Sequence, residues 1–465
     1  MITLTEHDYH ALGIDTTAVP GTEHLVDLDG TMHTKHDKKT KDIVLLPTPS
    51  ADPEDPLNWS PRRKALHMVG LATYCLFIGT AFAAINSVLP QLLESTDLTL
   101  NELNNGTGYL FLCFGWGCIF WQPMALQFGK RPIYLLSLLG SCAVQFWAPY
   151  ATTSGQWIAK NCIQGFFGAP FESLCEISIT DIFFAHERGR YLGMYVLFAN
   201  SSASIAPILA GFIADGMGWK WVLWWPAISL AFGAVVVFLI LEETNYDRKQ
   251  APTSEPHTQI QIHSTQKSVD VAGDNAEKSA GATTTFEPEV EPALVVEYNK
   301  KPYWKRLSLL DKSRPNKLWV MCIRPFQLLS LPIIVYCGFA NGIAVVWSTV
   351  ALGVSSVILS SPPYNFSATN NGLLNIASLL GIIVAMARKR NGIAQAEFRL
   401  WLCIFPAIGV PFALILFGVG ATHHVHCLAF ACGLLFIIMM VWGKDFRQQS
   451  RVRYWRYAAQ RKIEK

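Results

Sequence analysis

Residues 107–151 read TGYLFLCFGWGCIFWQPMALQFGKRPIYLLSLLGSCAVQFWAPYA. Two apolar runs, 107–126 and 132–151, are separated by a short turn that carries Gly129, Lys130 and Arg131. A helix rises about 1.5 Å per residue and needs about 20 mostly apolar residues to cross a hydrocarbon layer roughly 30 Å thick. Both runs meet that length, so the stretch is predicted to be a transmembrane helical hairpin with its cations at one interface.

Outward from this hairpin the same test is met at 65–89, 156–178, 191–215, 221–241, 329–355, 372–387, 398–419 and 424–442. The run 372–387 is short and must tilt, borrow flanking residues or thin the bilayer. Lys and Arg fall in alternate gaps: Arg62, Arg63 and Lys64 before the first span, Lys130 and Arg131 after the second, Arg188 and Arg190 after the fourth, and Arg388 to Arg390 after the eighth. Residues 90–106, 356–371 and 420–423 carry none, and Lys220 is the main exception. By the positive-inside rule both termini are cytoplasmic. The sequons at Asn105 and Asn365 then lie outside, where glycosylation is expected. The fold class is an all-α polytopic membrane protein of six plus about four transmembrane helices.

With 465 residues, 51% of them hydrophobic, the mean hydropathy is only +0.27 because residues 1–60 and 243–320 are polar. A net charge of +3 gives no reason to expect nucleic acid, and the basic residues stand where topology wants them. No cleavable leader is expected in the polar opening segment. All eleven cysteines but Cys322 fall inside expected spans, without disulfide or metal-ligand spacing, so neither metal nor cofactor is expected. The stretch 248–299 is too polar to offset its ordering entropy and divides six spans from four. These boundaries predict an N-terminal tail (1–64), a six-helix bundle (65–242), a largely disordered linker (243–325), an incomplete second bundle (326–442) and a basic tail (443–465). Residues 303–326 read as amphipathic pieces on the cytoplasmic face, interrupted at Pro315, and the basic, aromatic tail suits an anionic leaflet.

Seven ordered stretches resemble fungal members of the major facilitator superfamily, in the branch of twelve-span drug:proton antiporters and polyamine or cation transporters. They are Asp52-Pro-Glu-Asp-Pro-Leu-Asn-Trp59, Phe128-Gly-Lys-Arg-Pro-Ile-Tyr-Leu135, Gln164-Gly-Phe-Phe-Gly-Ala-Pro-Phe-Glu-Ser173, Thr180-Asp-Ile-Phe-Phe-Ala-His-Glu-Arg-Gly189, Ala206-Pro-Ile-Leu-Ala-Gly-Phe-Ile-Ala-Asp215, Gly218-Trp-Lys-Trp221 and Glu242-Glu-Thr-Asn-Tyr246. The resemblance implies two helical bundles rocking about a central cavity, with the binding site near the midplane. It implies a proton-coupled transporter of a small drug-like or cationic solute, monomeric, in the plasma or vacuolar membrane. Four departures stand beside it. Leu126 replaces an acidic residue, Asn161 replaces an arginine with Lys160 displaced by one, the usual segment after span eight is shortened, and the chain stops after ten spans instead of twelve. A truncated, non-transporting relative is therefore the alternative. The missing Walker-type phosphate loop argues against ATP-driven transport, and a membrane enzyme is disfavoured because no His or Asp cluster is assembled, His423, His424 and His426 reading as solvated in a short outer loop.

Within that frame Gly129 permits a tight turn, and Lys130 and Arg131 either lock a cytoplasmic gate against acidic residues such as Asp181 and Glu187, beside Arg188, or merely set topology. On the fourth span Asn161, Gln164, Gly168, Glu172 and Glu176 fall within an arc of about 120° at 100° per residue. This polar stripe is expected to face the cavity, because lipid-facing carboxylates are costly. There Glu172 would exchange a proton or pair with a cationic solute, unless it is tied to Lys160 or another structural partner. Glu176, nearer the inner interface, belongs with the gate. Pro207 and Gly211 form the antiporter-like motif of the fifth span. Tyr74, Trp116, Gln122, Asn200, Asn341 and Trp347 complete the cavity candidates.

Overall fold

The computed structural model describes residues 45, 47–50, 52–96, 98–246, 306–307, 318–330, 332–362, 364–380, 415 and 419. The expected ninth span apart from residues 415 and 419, the tenth span, the end of the eighth, the segment 248–299 and the basic tail lie outside the described residues. The described chain is helical: α1 Pro61–Ala83, α2 Leu89–Ser95, α3 Leu100–Phe128, α4 Lys130–Trp147, α5 Ser154–Gly168, α6 Pro170–Ile182, α7 Ala185–Met217, α8 Trp219–Ile240, α9 Leu318–Leu328, α10 Pro332–Ser360 and α11 Ala368–Leu373. Among these residues five segments are long and apolar enough to cross a membrane: α1, α3, Lys130–Tyr150, α7 and α8.

Local chemistry explains the boundaries. Ser60 caps α1 by accepting from the Arg63 amide, with Pro61 in the first position, where a missing N–H costs nothing. Thr99 and Glu102 form a capping box at α3. Gly129 separates α3 from α4 at φ +114°, a region open to glycine.

The expected fourth span is two helices, because Pro170 has no N–H to donate and its ring crowds the preceding turn. In hydrocarbon no water can satisfy the carbonyls that such a break frees. Side chains from neighbouring helices do so instead. Trp121 Nε1 donates to the Phe166 carbonyl at 2.8 Å, Ser137 Oγ to Phe167 at 2.6 Å, and Cys118 Sγ to Ala169 at 3.4 Å. Tyr74 and Tyr134 extend the network, their hydroxyls 2.8 Å from Ser137 Oγ and Ser178 Oγ.

The core runs between α1, α3, α4, α6, α7 and α8, with Leu71, Ile78, Leu138, Leu174, Ile179, Leu230 and Val237 packed together. Outward-facing side chains such as Leu112, Leu139, Phe232 and Val235 are more than half exposed, whereas Ser137, Ser178 and Ser202 are buried. Apolar outside and small or polar inside is the arrangement of a lipid-facing bundle. α3 and α5 approach so closely that a Cβ on Gly165 would strike the Leu110 carbonyl. Gly165→Ala is expected to lower stability in detergent by about 1–3 kcal/mol through overpacking. Gly155→Ala, where a Cβ meets nothing within 4 Å, should leave the melting temperature nearly unchanged. Equal melting of the two variants in a thermal scan would refute this account of the α3/α5 contact.

Candidate functional site

The turn between α3 and α4 is the best-anchored feature of the chain. Here two amides at the start of α4 have no helical acceptor, and the Glu243 carboxylate supplies one. It accepts from Lys130 N and Arg131 N at 3.0 Å each, and from Thr244 N and Asn245 N at 3.1 and 3.0 Å. A carboxylate at a helix N-terminus also meets the positive end of the helix dipole. Lys130 Nζ forms an ion pair with Asp181 at the end of α6, and the lysine is almost wholly buried. Arg131, fully buried, donates from Nη2 to the Phe238 carbonyl at 2.7 Å and lies 5.1 Å over the Phe238 ring. Arg188 closes the end of α6 by donating to the Thr180 and Phe183 carbonyls at 3.0 and 3.1 Å. Glu187 stands in the first turn of α7, within electrostatic reach of Lys64, whose amine lies over Phe183 and Phe184.

Two segments 179 to 194 residues apart meet over this end. Asp55 folds the first by accepting from Ser50 N, Ser50 Oγ and Leu57 N at 3.0–3.2 Å. Arg63 stacks 4.0 Å from the Trp59 ring, donates from Nε to Glu242 at 2.8 Å and pairs with Glu54 at 3.3 Å. Arg306, beyond the long polar segment, reaches Glu54 at 3.6 Å. Tyr246 Oη donates to Asp52 at 3.0 Å, and Asn245 Nδ2 to the Leu126 carbonyl at 2.9 Å. Burial, then the adjoining Asp52 carboxylate, pushes the Tyr246 phenol up from its ordinary value and keeps it a donor. Beneath this clasp His67 is buried, edge-on to Trp59 at 5.8 Å, with no hydrogen-bond partner at either ring nitrogen.

The polar stripe of the fourth span is divided at Ala169. Asn161 and Gln164 are buried, Asn161 directly against Gly106 of α3. Lys160 Nζ donates to Asn161 Oδ1 at 3.1 Å and lies 4.7 Å over Trp157. Glu172 and Glu176, one turn apart on α6, are exposed. The Glu172 carboxyl acts electrostatically on Cys75 of α1, Cys118 of α3 and Tyr195 of α7, so it faces the side of α6 that these three helices share. Tyr74 is buried in the core, Asn200 donates to the Val196 carbonyl at 2.8 Å, and Trp116 is 62% exposed. Asn341 belongs to α10.

At the opposite end, Pro207 and Gly211 of α7 meet α11. A Cβ on Gly211 would strike the Ala368 carbonyl, and one on Gly372 would crowd the Pro207 carbonyl, so the two backbones cross in direct contact. Asn105 is exposed on the second turn of α3, and Asn365 is exposed at φ +45° in the turn before α11.

Among the described residues no group of three or more His, Cys, Asp or Glu side chains is placed to hold a metal ion. The residues that sequence reasoning did not single out are Glu243, the Arg63–Glu242 pair and His67. Their segments stand out as motifs, but which motif touches which is a property of the folded chain.

Asp181→Asn removes the carboxylate facing the buried Lys130 ammonium and should cost about 1–3 kcal/mol of stability. The double change Lys130→Met with Asp181→Leu should recover most of that loss, since neither charge is then stranded. Thermal unfolding of the purified protein checks both, and a single variant as stable as the parent would contradict the assignment.

The profile of the Major Facilitator Superfamily matches residues 71–444. The uncharacterized MFS-type transporter C1271.10c of Schizosaccharomyces pombe is 30% identical over 438 residues, covering 86% of this chain and 74% of that protein. Protein HOL1 of Saccharomyces cerevisiae is 27% identical over 482 residues, covering 91% of this chain and 82% of that protein. A bacterial homolog of the human lysosomal transporter Spinster, in an inward-facing and unoccupied crystal structure, aligns with a TM-score of 0.48 at 12% identity, covering 84% of this chain and 75% of that one. The clasped bundle of long apolar helices, matched along most of its length by one family, belongs to the Major Facilitator Superfamily and is an integral, multi-pass membrane transporter.

Proposed function

We propose that the chain is a proton-coupled secondary transporter moving a small cationic or amphipathic organic solute across a fungal plasma membrane as a monomer, with both termini and the Gly129 turn in the cytoplasm. The alternating distribution of Lys and Arg supports this orientation. The single observation that carries the reading is Glu172. It is an exposed carboxyl on α6, just past the helix break, on the side shared with α1, α3 and α7.

A carboxyl there has two uses that exclude each other. Ionised, it attracts a cationic group; protonated, it does not. Proton and solute then compete for one site, and a gradient of either drives the other as the two halves rock about it. The Lys130–Asp181 pair and the Glu243 cap belong to the cytoplasmic gate of this cycle, with Glu176, Glu187 and Arg188 nearby. Each must hold in one state and yield in the other.

Uptake of a fluorescent organic cation into proteoliposomes under an imposed pH gradient tests the proposal. The parent chain should transport in a gradient-dependent manner. Glu172→Gln should abolish gradient dependence while leaving the protein folded, and Glu172→Asp should retain part of it. An unchanged pH profile in Glu172→Gln would remove the role assigned to this residue.

A further inference from the structure

The end opposite the clasp is held by a different device. After the Gly211 crossing, α7 continues for one more turn to Asp215, whose Oδ2 accepts the Thr369 amide at 3.0 Å. The Ala368 amide and the Ser367 hydroxyl also donate toward this carboxylate. Thr369 Oγ1 donates in turn to the Gly211 carbonyl at 3.3 Å, and Ser367 caps α11 by accepting from Asn370 N. Beneath this contact Ala206, Ala210 and Ala214 pack with Ala368, with Ala83 at the end of α1 and with Ala84 and Val88 in the turn after it. The end of α1, α7 and α11 are thus sealed together by small residues, with one carboxylate tying the seam.

A backbone-to-backbone crossing is shallow and offers little apolar area, so close packing contributes modestly once the helices part. A charge-assisted hydrogen bond to a helix N-terminus is directional and is lost with a small displacement. We propose that Asp215 is the latch of this gate: its carboxylate holds α7 against α11 and biases the transporter toward the state closed at this end. The inference rests on the reading of the chain as an alternating-access transporter, in which this end must open. It adds a positioning residue that touches neither solute nor proton.

Removing one charge-assisted bond should shift the closed-to-open ratio on the order of tenfold. Hydrogen–deuterium exchange of the full chain in lipid nanodiscs measures this without any solute. In Asp215→Ala, peptides covering 80–88 and 203–211 are expected to exchange faster together with 366–373, whereas Asp215→Glu should stay close to the parent. Gly372→Leu, whose side chain would wedge the same crossing from the other helix, should reproduce the Asp215→Ala pattern. Faster exchange confined to 366–370 in both variants would overturn the proposal and leave Asp215 a local cap. Should Asp215→Ala lose protection throughout, the Gly372→Leu pattern decides between the two outcomes. Because the readout needs no transport, a chain with this exchange pattern but no proton-coupled uptake would keep the latch and lose the proposed function.

Discussion

A backbone carbonyl in hydrocarbon has no water to turn to, and the helical half described most fully is arranged around that constraint. At the Pro170 break the Phe166 and Ala169 carbonyls keep only long bonds from Ala169 N and Glu172 N, at 3.4 and 3.3 Å, and α3 and α4 supplement the Phe166, Phe167 and Ala169 carbonyls with Trp121, Ser137 and Cys118. Those three side chains fix how α3, α4 and the α5/α6 pair sit against one another. They also explain polar residues in a core where greasy ones would pack as well. Tyr74 and Tyr134 belong to the same network, which is why a tyrosine that invites a role in a cavity lies buried among helices.

The same rule operates at the helix ends. α4 starts with amides that have no intrahelical acceptor. Glu243 reaches them from the segment after α8 and binds the first and second halves of the bundle's own circuit. Around it, Glu54, Arg63, Glu242 and Arg306 alternate in sign, so each charge finds an opposite neighbour while partly withdrawn from water. Residues that composition assigns to a tail and a linker are therefore structural parts of the bundle.

The two ends of the molecule are secured by unlike means. At the Gly129 end ion pairs and caps join α1, α4, α6 and the segment after α8. At the other end α7 meets α11 through glycine backbones and the Asp215 carboxylate.

What the sequence determined alone follows from short-range arithmetic. The length of an apolar run decides whether a helix can span, and the positions of Lys130, Arg131 and their counterparts mark one interface. The all-helical, membrane-spanning character was legible in that way, and so was the turn at Gly129, where a positive φ selects glycine. The split of the fourth span was not, because hydropathy averages over Pro170 and periodicity assumes an unbroken helix. That assumption put Asn161, Gln164, Glu172 and Glu176 on one stripe. The fold buries the first two and exposes the last two. Only the tertiary structure decided that Glu243 serves Lys130 and Arg131, that Arg63 meets Glu242 and that Asp215 meets Thr369. Each of these pairs is far apart along the chain, and a contact between distant residues is set by how helices pack, which no local pattern encodes.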